Sequence, residues 1–277
     1  MASIVPFAWT PPNSKPAKGP RGRPARAVTF DCEMGYTVYG LELIRLTAVS
    51  WPQGDKLVDV LVRPKGTILD LNSRFSGVWP EAFVAAIPYD LAPVEPPGSE
   101  RLDVTPKNNA PAAAAVPPLP IVDSPEAARD LLCSFLTPET PLIGHALEND
   151  LNSVRLCHTC IIDTIVLYPH PRGLPIRYGL KMLTKKWLQR DIQMGGAMGH
   201  DSLEDARATG DLVRYKVGTV WKGLAKDGWT IQDNQLMPPL PTGLPPPPGG
   251  DDETSQPRVL GSGAKSGVKR QRIQVDQ

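Results

Sequence analysis

Proline decides where this chain can form regular structure. Its ring fixes φ and removes a backbone donor, so dense proline excludes helix interiors and central strands. The 32 prolines crowd into residues 1–27, a stretch from about Asp90 to Pro120, and the part beyond Gly228. A core can form only between them, which predicts one medium-sized domain with disordered additions. The expected division is a disordered basic tail over 1–26, a folded domain over 27–226 with a disordered Pro/Ala-rich insertion at about 90–120, and a disordered Pro-rich, basic tail over 227–277.

The net charge of +1 hides an asymmetry. Residues 1–27 hold five Lys or Arg and no acid, and so does the stretch from Arg258 to Arg272. An acidic body with two basic arms suits a metal-dependent enzyme acting on a polyanion. Pro20-Arg21-Gly22-Arg23-Pro24 resembles the core of an AT-hook, an extended element that enters A·T-rich minor grooves, although a generic basic tether is the plainer reading. Lys265, Lys269, Arg270 and Arg272 could form a nuclear localisation signal, which makes the nucleus the expected compartment and the cytoplasm the alternative. Leu244-Pro245-Pro246-Pro247-Pro248 favours extended polyproline that could engage an SH3- or WW-type partner, an unbound linker being plainer. No apolar run approaches the roughly 20 residues of a membrane span, so no membrane partner is expected. The four cysteines are too few for a disulfide framework, and Cys157-His158-Thr159-Cys160 lacks the second half of a zinc site.

Between the prolines the pattern starts antiparallel and then alternates. Strands are expected at about Ala27–Glu33, Glu42–Trp51 and Leu57–Arg63, the last two joined by a turn at Pro52-Gln53-Gly54-Asp55. After the insertion a helix starts at Ser124-Pro125, with Ser as N-cap and Pro at the first position, and runs to about Leu136. A short inner strand at Leu142-Ile143-Gly144, a helix over Leu147–Leu156 and an inner strand over Cys160–Thr164 follow. Gly179–Leu188 is expected to be helical. A last helix opens at Asp201 or Ser202, where Asp201 and Glu204 have capping-box spacing, and runs to about Leu224.

Chemistry enters through acids on these elements. Asp31 and Glu33 stand at i and i+2 of a strand, so both leave the same face. Two adjacent carboxylates repel unless water or a cation neutralises them. Asp150 on a helix and Asp205 in the first turns of the last helix can converge with them at one sheet edge. His200, just ahead of that helix, titrates near neutral pH and can act as a general base. Four carboxylates holding two divalent cations is a known solution for displacement at phosphorus, and oxygen ligands favour Mg²⁺ or Mn²⁺.

The local sequences are more specific than any acid alone. Asp31-Cys32-Glu33-Met34, Gly40 to Thr47, Asn72 to Gly77, Gly144 to Leu151 and His200 to Arg207 resemble, in order, the motifs of the DEDDh 3′-to-5′ exonucleases. Ile162-Asp163-Thr164 and Tyr168 to Gly173 are similar to the eukaryotic RNA exonuclease (Rex) branch. The resemblance covers about residues 27–88 and 121–217. It implies an α/β, ribonuclease H-like mixed sheet flanked by helices, and hydrolysis of the 3′ end of single-stranded RNA to nucleoside monophosphates. The implied metal ligands are Asp31, Glu33, Asp150 and Asp205, with His200 as base and Met34 wedging against the terminal bases. Arg74 and Phe75 are candidate phosphate and stacking contacts. The alternatives are a DNA exonuclease and a non-catalytic nucleic-acid-binding scaffold.

Overall fold

Three long apolar runs build the centre of the molecule, seen here in a computed structural model that describes residues 5–12, 15–92, 118–232 and 235–239. The chain begins with a two-residue strand, β1 (Ala8–Trp9), and enters the main sheet at β2 (Ala27–Thr37), followed by β3 (Gly40–Trp51) and β4 (Lys56–Val62). These three form an antiparallel meander. The expected turn after β3 is closed by Gly54 N donating to Ser50 O at 2.7 Å. A short strand, β5 (Ile68–Asp70), pairs with the far end of β2 at Tyr36 and Thr37.

Helices α1 (Ser73–Ser76) and α2 (Pro80–Ala85) lead to β6 (Ile87–Pro88), and the next described strand is β7 (Pro120–Val122), parallel to both β4 and β6. Helix α3 (Pro125–Cys133) starts as its sequence dictates, with Ser124 Oγ accepting from Ala127 N at 3.1 Å. Next come β8 (Leu142–Gly144), α4 (Leu147–Val154), β9 (Leu156–Cys157), β10 (Ile161–Asp163) and α5 (Thr164–Leu167). Helix α6 (Leu180–Leu183) passes into one π-helical turn over Thr184–Leu188, and α7 (Ser202–Lys226) closes this unit. The sheet order is β10-β8-β2-β3-β4-β7-β6 with β5 beside β2, a mixed sheet in which β8 and β10 run parallel to β2.

Both faces of the sheet are covered. On one, Val28 and Phe30 of β2, Leu46 of β3 and Val60 of β4 pack with Leu132 of α3 and Leu147 and Val154 of α4. Each such fully buried apolar side chain stabilises the fold by about 1.5–3 kcal/mol. On the other lies α7, tied down by Trp51 Nε1 donating to Gly210 O at 3.0 Å, with Ala208 and Leu212 packed on Leu180, Leu183 and Ile192. None of the helices among the described residues is long and apolar enough to cross a membrane.

The N-terminal segment departs from expectation. Residues 5–12 and 15–26 are laid along the domain rather than disordered. β1 pairs in parallel with β9, the buried Arg129 guanidinium donates from Nη1 to Pro6 O at 2.9 Å and Arg155 O at 3.3 Å, and Ala17 N donates to Ser134 O at 2.7 Å. His158 bridges Thr10 Oγ1 and Thr140 O, each at 2.8 Å, so this histidine of the Cys157-x-x-Cys160 stretch is a buried tie. Within the AT-hook-like stretch, Arg21 forks onto Asp55 at 2.6 and 3.0 Å, and Gly22 N donates to Gly19 O in a turn, so the segment is folded back rather than extended. Single anchors of this kind leave no periodicity in a sequence.

Other boundaries shift by a turn. The helix from Leu147 stops at Val154, where Arg155 takes φ 54°, and the segment to Leu188 is one α-turn plus a π-turn. Described by itself, the unit beginning at Asp227 holds an antiparallel hairpin of β11 (Thr230–Gln232) and β12 (Gln235–Met237), where a disordered tail was expected. Most of the expected insertion (93–117), the polyproline run and the C-terminal basic cluster lie outside the described residues.

Candidate active site

The four acids reach the site from three elements: Asp31 and Glu33 from β2, Asp150 from α4 and Asp205 from α7. Opposite the Glu33/Met34 step, β3 carries an extra residue, Ile44, while β2 stays regular. Strand alternation therefore turns Asp31 and Glu33 toward α7 and turns Cys32 and Met34 to the core face. Ser202 Oγ of α7 donates to Asp31 O at 3.5 Å. Met34 is half-buried against the core cluster. It lies on the opposite face of the strand from Asp31 and Glu33, on the side of α4, which carries Asp150.

Asp150 enters through a gap in the sheet. On this edge of β2, β8 pairs only at Val28 and Thr29 and β5 only at Tyr36 and Thr37. Between them Cys32 N donates to Asp150 Oδ1 at 3.1 Å. Helix α4 is aimed into the gap by Asp163, whose carboxylate accepts from Ala146 N at 3.2 Å, Leu147 N at 2.8 Å and Ile165 N at 2.8 Å. Asp163 thus caps α4 across chain and α5 locally, a role its place in a family motif does not reveal.

The third element is the start of α7. Asp201 is the N-cap, its Oδ1 accepting from Leu203 N at 3.0 Å. The capping box does not form, since Glu204 accepts instead from Gln193 N at 2.9 Å. His200 is held by its backbone, with its N–H donating to Phe75 O at 3.0 Å. The contact needs two glycines: a Cβ on Gly77 would collide with the His200 carbonyl, and one on Gly199 with the Ser73 carbonyl and the Gly77 backbone. The Asn72–Gly77 motif is therefore the backbone seat of His200. On the same turn, Arg74 and the 63% exposed ring of Phe75 face solvent.

Electrostatics link these groups. Burial lifts Asp31 to about 6, with Asp201 adding to the rise while the Ser202 hydroxyl and Arg45 oppose it. Burial and then the Asp31 charge lift Asp205 to about 7. Glu33 and Asp150 are raised by burial first and Asp31 second, with Asp205 also acting on Glu33 and the Cys32 N–H opposing at Asp150. Arg45, whose charge acts on Asp31 and Glu33, is committed to Asp59 at 2.9 and 3.2 Å and lies 3.6 Å from Asp201. His200 Nδ1 lies 3.7 Å from Asp205 Oδ2, and burial followed by Lys181 lowers its pKa below 6.5.

These residues fit a divalent cation chemically. The donors are carboxylate oxygens, and Asp205 Oδ1 is buried without a hydrogen-bond partner among the described residues. Among the described residues no three His, Cys, Asp or Glu side chains close into a finished cage. The acids act on one another, with Arg45 opposing the rise at Asp31 and Glu33.

No family model matches the chain. Proteins named RNA exonuclease 3 do: that of Emericella nidulans is 50% identical over 276 residues, 98% of this chain and 39% of its own length. That of Schizosaccharomyces pombe is 35% identical over 217 residues, 78% of this chain and 32% of its own. The chain thus spans well under half the length of these relatives. Among solved structures, the Neurospora crassa Pan2 catalytic unit, with protease and nuclease domains, shares the fold at TM-score 0.53 and 20% identity, covering 81% of this chain and 30% of that one. The Saccharomyces cerevisiae Pan2 pseudoubiquitin hydrolase-RNA exonuclease module in complex with AAGGA RNA follows at TM-score 0.50 and 19% identity, over 74% of this chain and 31% of that one. Sheet order and the solved neighbours together define a ribonuclease H-like fold, a mixed sheet flanked by helices. Within that fold the chain is similar to the RNA exonuclease 3 proteins, a similarity consistent with the DEDD exonucleases.

Proposed function

We propose that this chain is a metal-dependent 3′-to-5′ exoribonuclease that hydrolyses terminal phosphodiesters to nucleoside monophosphates in RNA processing or turnover. The observation that carries this reading is the set of four acids, Asp31, Glu33, Asp150 and Asp205, half-buried to buried around the gap beside β2, with Arg45 already held by Asp59. Buried carboxylates with raised pKa values are costly, and such groups cluster where a reaction needs them. The names of the relatives and the RNA bound to the yeast Pan2 module point to RNA as the polyanion.

Asp31, Glu33, Asp150 and Asp205 would hold the metal, for which two Mg²⁺ or Mn²⁺ ions are the proposed complement. When bound, such ions supply charge neutralisation and activation of the attacking water. The chain's own contributions are separable. Arg45 keeps Asp201, and with it the start of α7, against β3. His200, half-exposed and with a lowered pKa, is neutral at pH 7 and can take the proton from the attacking water. Arg74 and Phe75, exposed on the turn that seats His200, are the proposed phosphate and stacking contacts. The C-terminal basic cluster is proposed to direct the protein to the nucleus, and the polyproline run to an SH3- or WW-type partner.

Purified protein with Mg²⁺ should shorten 5′-labelled single-stranded RNA one nucleotide at a time, and Asp31→Ala should abolish this. Equal activity in both proteins would overturn the proposal. Matched DNA oligomers in the same assay should be degraded more slowly.

A further inference from the structure

Gln193 lies outside the motif residues, yet its side chain touches one of the acids. Its Nε2 donates to Asp205 Oδ2 at 2.8 Å. An amide at this point can only donate to a carboxylate oxygen, so it occupies Oδ2 and leaves Oδ1, which is buried and has no hydrogen-bond partner among the described residues. Of the two oxygens of Asp205, one is thereby fixed by the protein and the other is left for a ligand.

Gln193 is itself held on every side. Its N–H donates to Glu204 Oε2 at 2.9 Å and its carbonyl accepts from Lys181 Nζ at 3.0 Å. The preceding residue, Ile192, is fully buried in the cluster with Leu180, Leu183 and Leu212. The backbone adopts φ 55°, a left-handed conformation that costs a residue with a long side chain stability and persists only where its surroundings enforce it. Glu204 forgoes the capping box to supply one of those restraints. A strained backbone, a diverted capping acid and a lysine all serve to present one amide to one carboxylate.

We infer that Gln193 is a positioning residue for a metal ligand: it fixes the rotamer of Asp205 so that Oδ1 is presented to the divalent cation. The inference rests on the proposed metal-dependent activity and deepens it. Partners that orient metal-bound carboxylates typically change metal affinity or activity by about 10–100-fold when removed. A residue acting this way should alter metal binding and kcat while leaving the KM for RNA in place.

The test compares wild type, Gln193→Ala and Gln193→Glu. Mn²⁺ binding to the otherwise metal-free protein is followed by electron paramagnetic resonance, alongside melting in EDTA and steady-state kinetics on single-stranded RNA. Gln193→Glu keeps length and shape but replaces the donor with an acceptor. Both variants should bind Mn²⁺ at least about tenfold more weakly, lose kcat in proportion at subsaturating metal, and keep KM for RNA within about twofold of wild type. Wild-type affinity in either variant overturns the inference, as does a loss confined to a variant whose melting in EDTA shows it unfolded. Wild-type protein that degrades RNA and binds Mn²⁺ beside unaffected variants sinks this inference alone. Wild-type protein that binds no Mn²⁺ sinks the metal-dependent reading and this inference with it.

Discussion

Asp163 shows how one side chain can organise a site it never enters. Its carboxylate accepts from three backbone N–H groups at the starts of α4 and α5, and losing a single cap of this kind typically costs about 0.5–2 kcal/mol. Asp163→Ala should therefore destabilise the protein by about 2–4 kcal/mol, given three orphaned donors, measured by urea unfolding in EDTA. Asp163→Asn, which keeps one acceptor oxygen, should fall between the two. His200 makes the complementary case, because its backbone N–H ties it to Phe75 O while its half-exposed imidazole lies 3.7 Å from Asp205 Oδ2. His200→Ala should melt like wild type but lose about 10²–10⁴ in kcat, the usual worth of a general base. In wild type the low-pH limb of kcat should be centred below 6.5, since burial and Lys181 lower the imidazole pKa. A His200→Ala profile with the same limb would remove it from the base role.

At the scale of elements, what could be read from the sequence divides by how each element is stabilised. β2, β3, β4, α3 and α7 bury long apolar faces, and their periodicity, with Ser124 and Asp201 as caps, makes them legible. The acids are legible for the same reason, since each stands at a fixed offset on a periodic element. A motif puts Met34 beside Glu33, and one step along a strand turns it to the core face. The N-terminal segment escaped because it is held by a two-residue pairing and single hydrogen bonds rather than by a repeating face. Gln193 escaped because nothing in a loop sequence announces which carboxylate an amide will meet. The segment gives a prediction of its own. Arg129→Met removes the donor that ties Pro6 and Arg155 carbonyls together. Amides of residues 5–12 should then exchange with solvent at least about tenfold faster, an opening favoured by about 1.4 kcal/mol or more, with the sheet unaffected. Unchanged protection by mass-resolved hydrogen exchange would show that β1 does not depend on Arg129.

For the whole molecule, the acid cluster makes stability depend on both protons and metal. Asp31 and Asp205 have folded-state values of about 6 and about 7 against an ordinary 3.8, raised first by burial. The folded protein therefore holds protons that the unfolded chain has released, and stability falls as pH rises from about 4 through the folded values. Below that window both states are protonated and the burden disappears; above it Asp31 and Asp205 are both charged and repel each other, with Glu33, lifted to about 10, adding its charge only at higher pH. Divalent ions bind the ionised form and reverse the burden, adding stability by mass action with the folded state. In EDTA the melting temperature should accordingly drop by several degrees between pH 5 and pH 8, at roughly 2–4 °C per kcal/mol for a chain of this size. In Mg²⁺ the drop should shrink, so the gain from metal should be small at pH 5 and large at pH 8. Asp205→Asn carries no charge to repel and lacks one ligand oxygen. It should melt higher than wild type in EDTA at pH 8 and gain least from Mg²⁺, which separates a site built to hold cations from acids that are merely exposed.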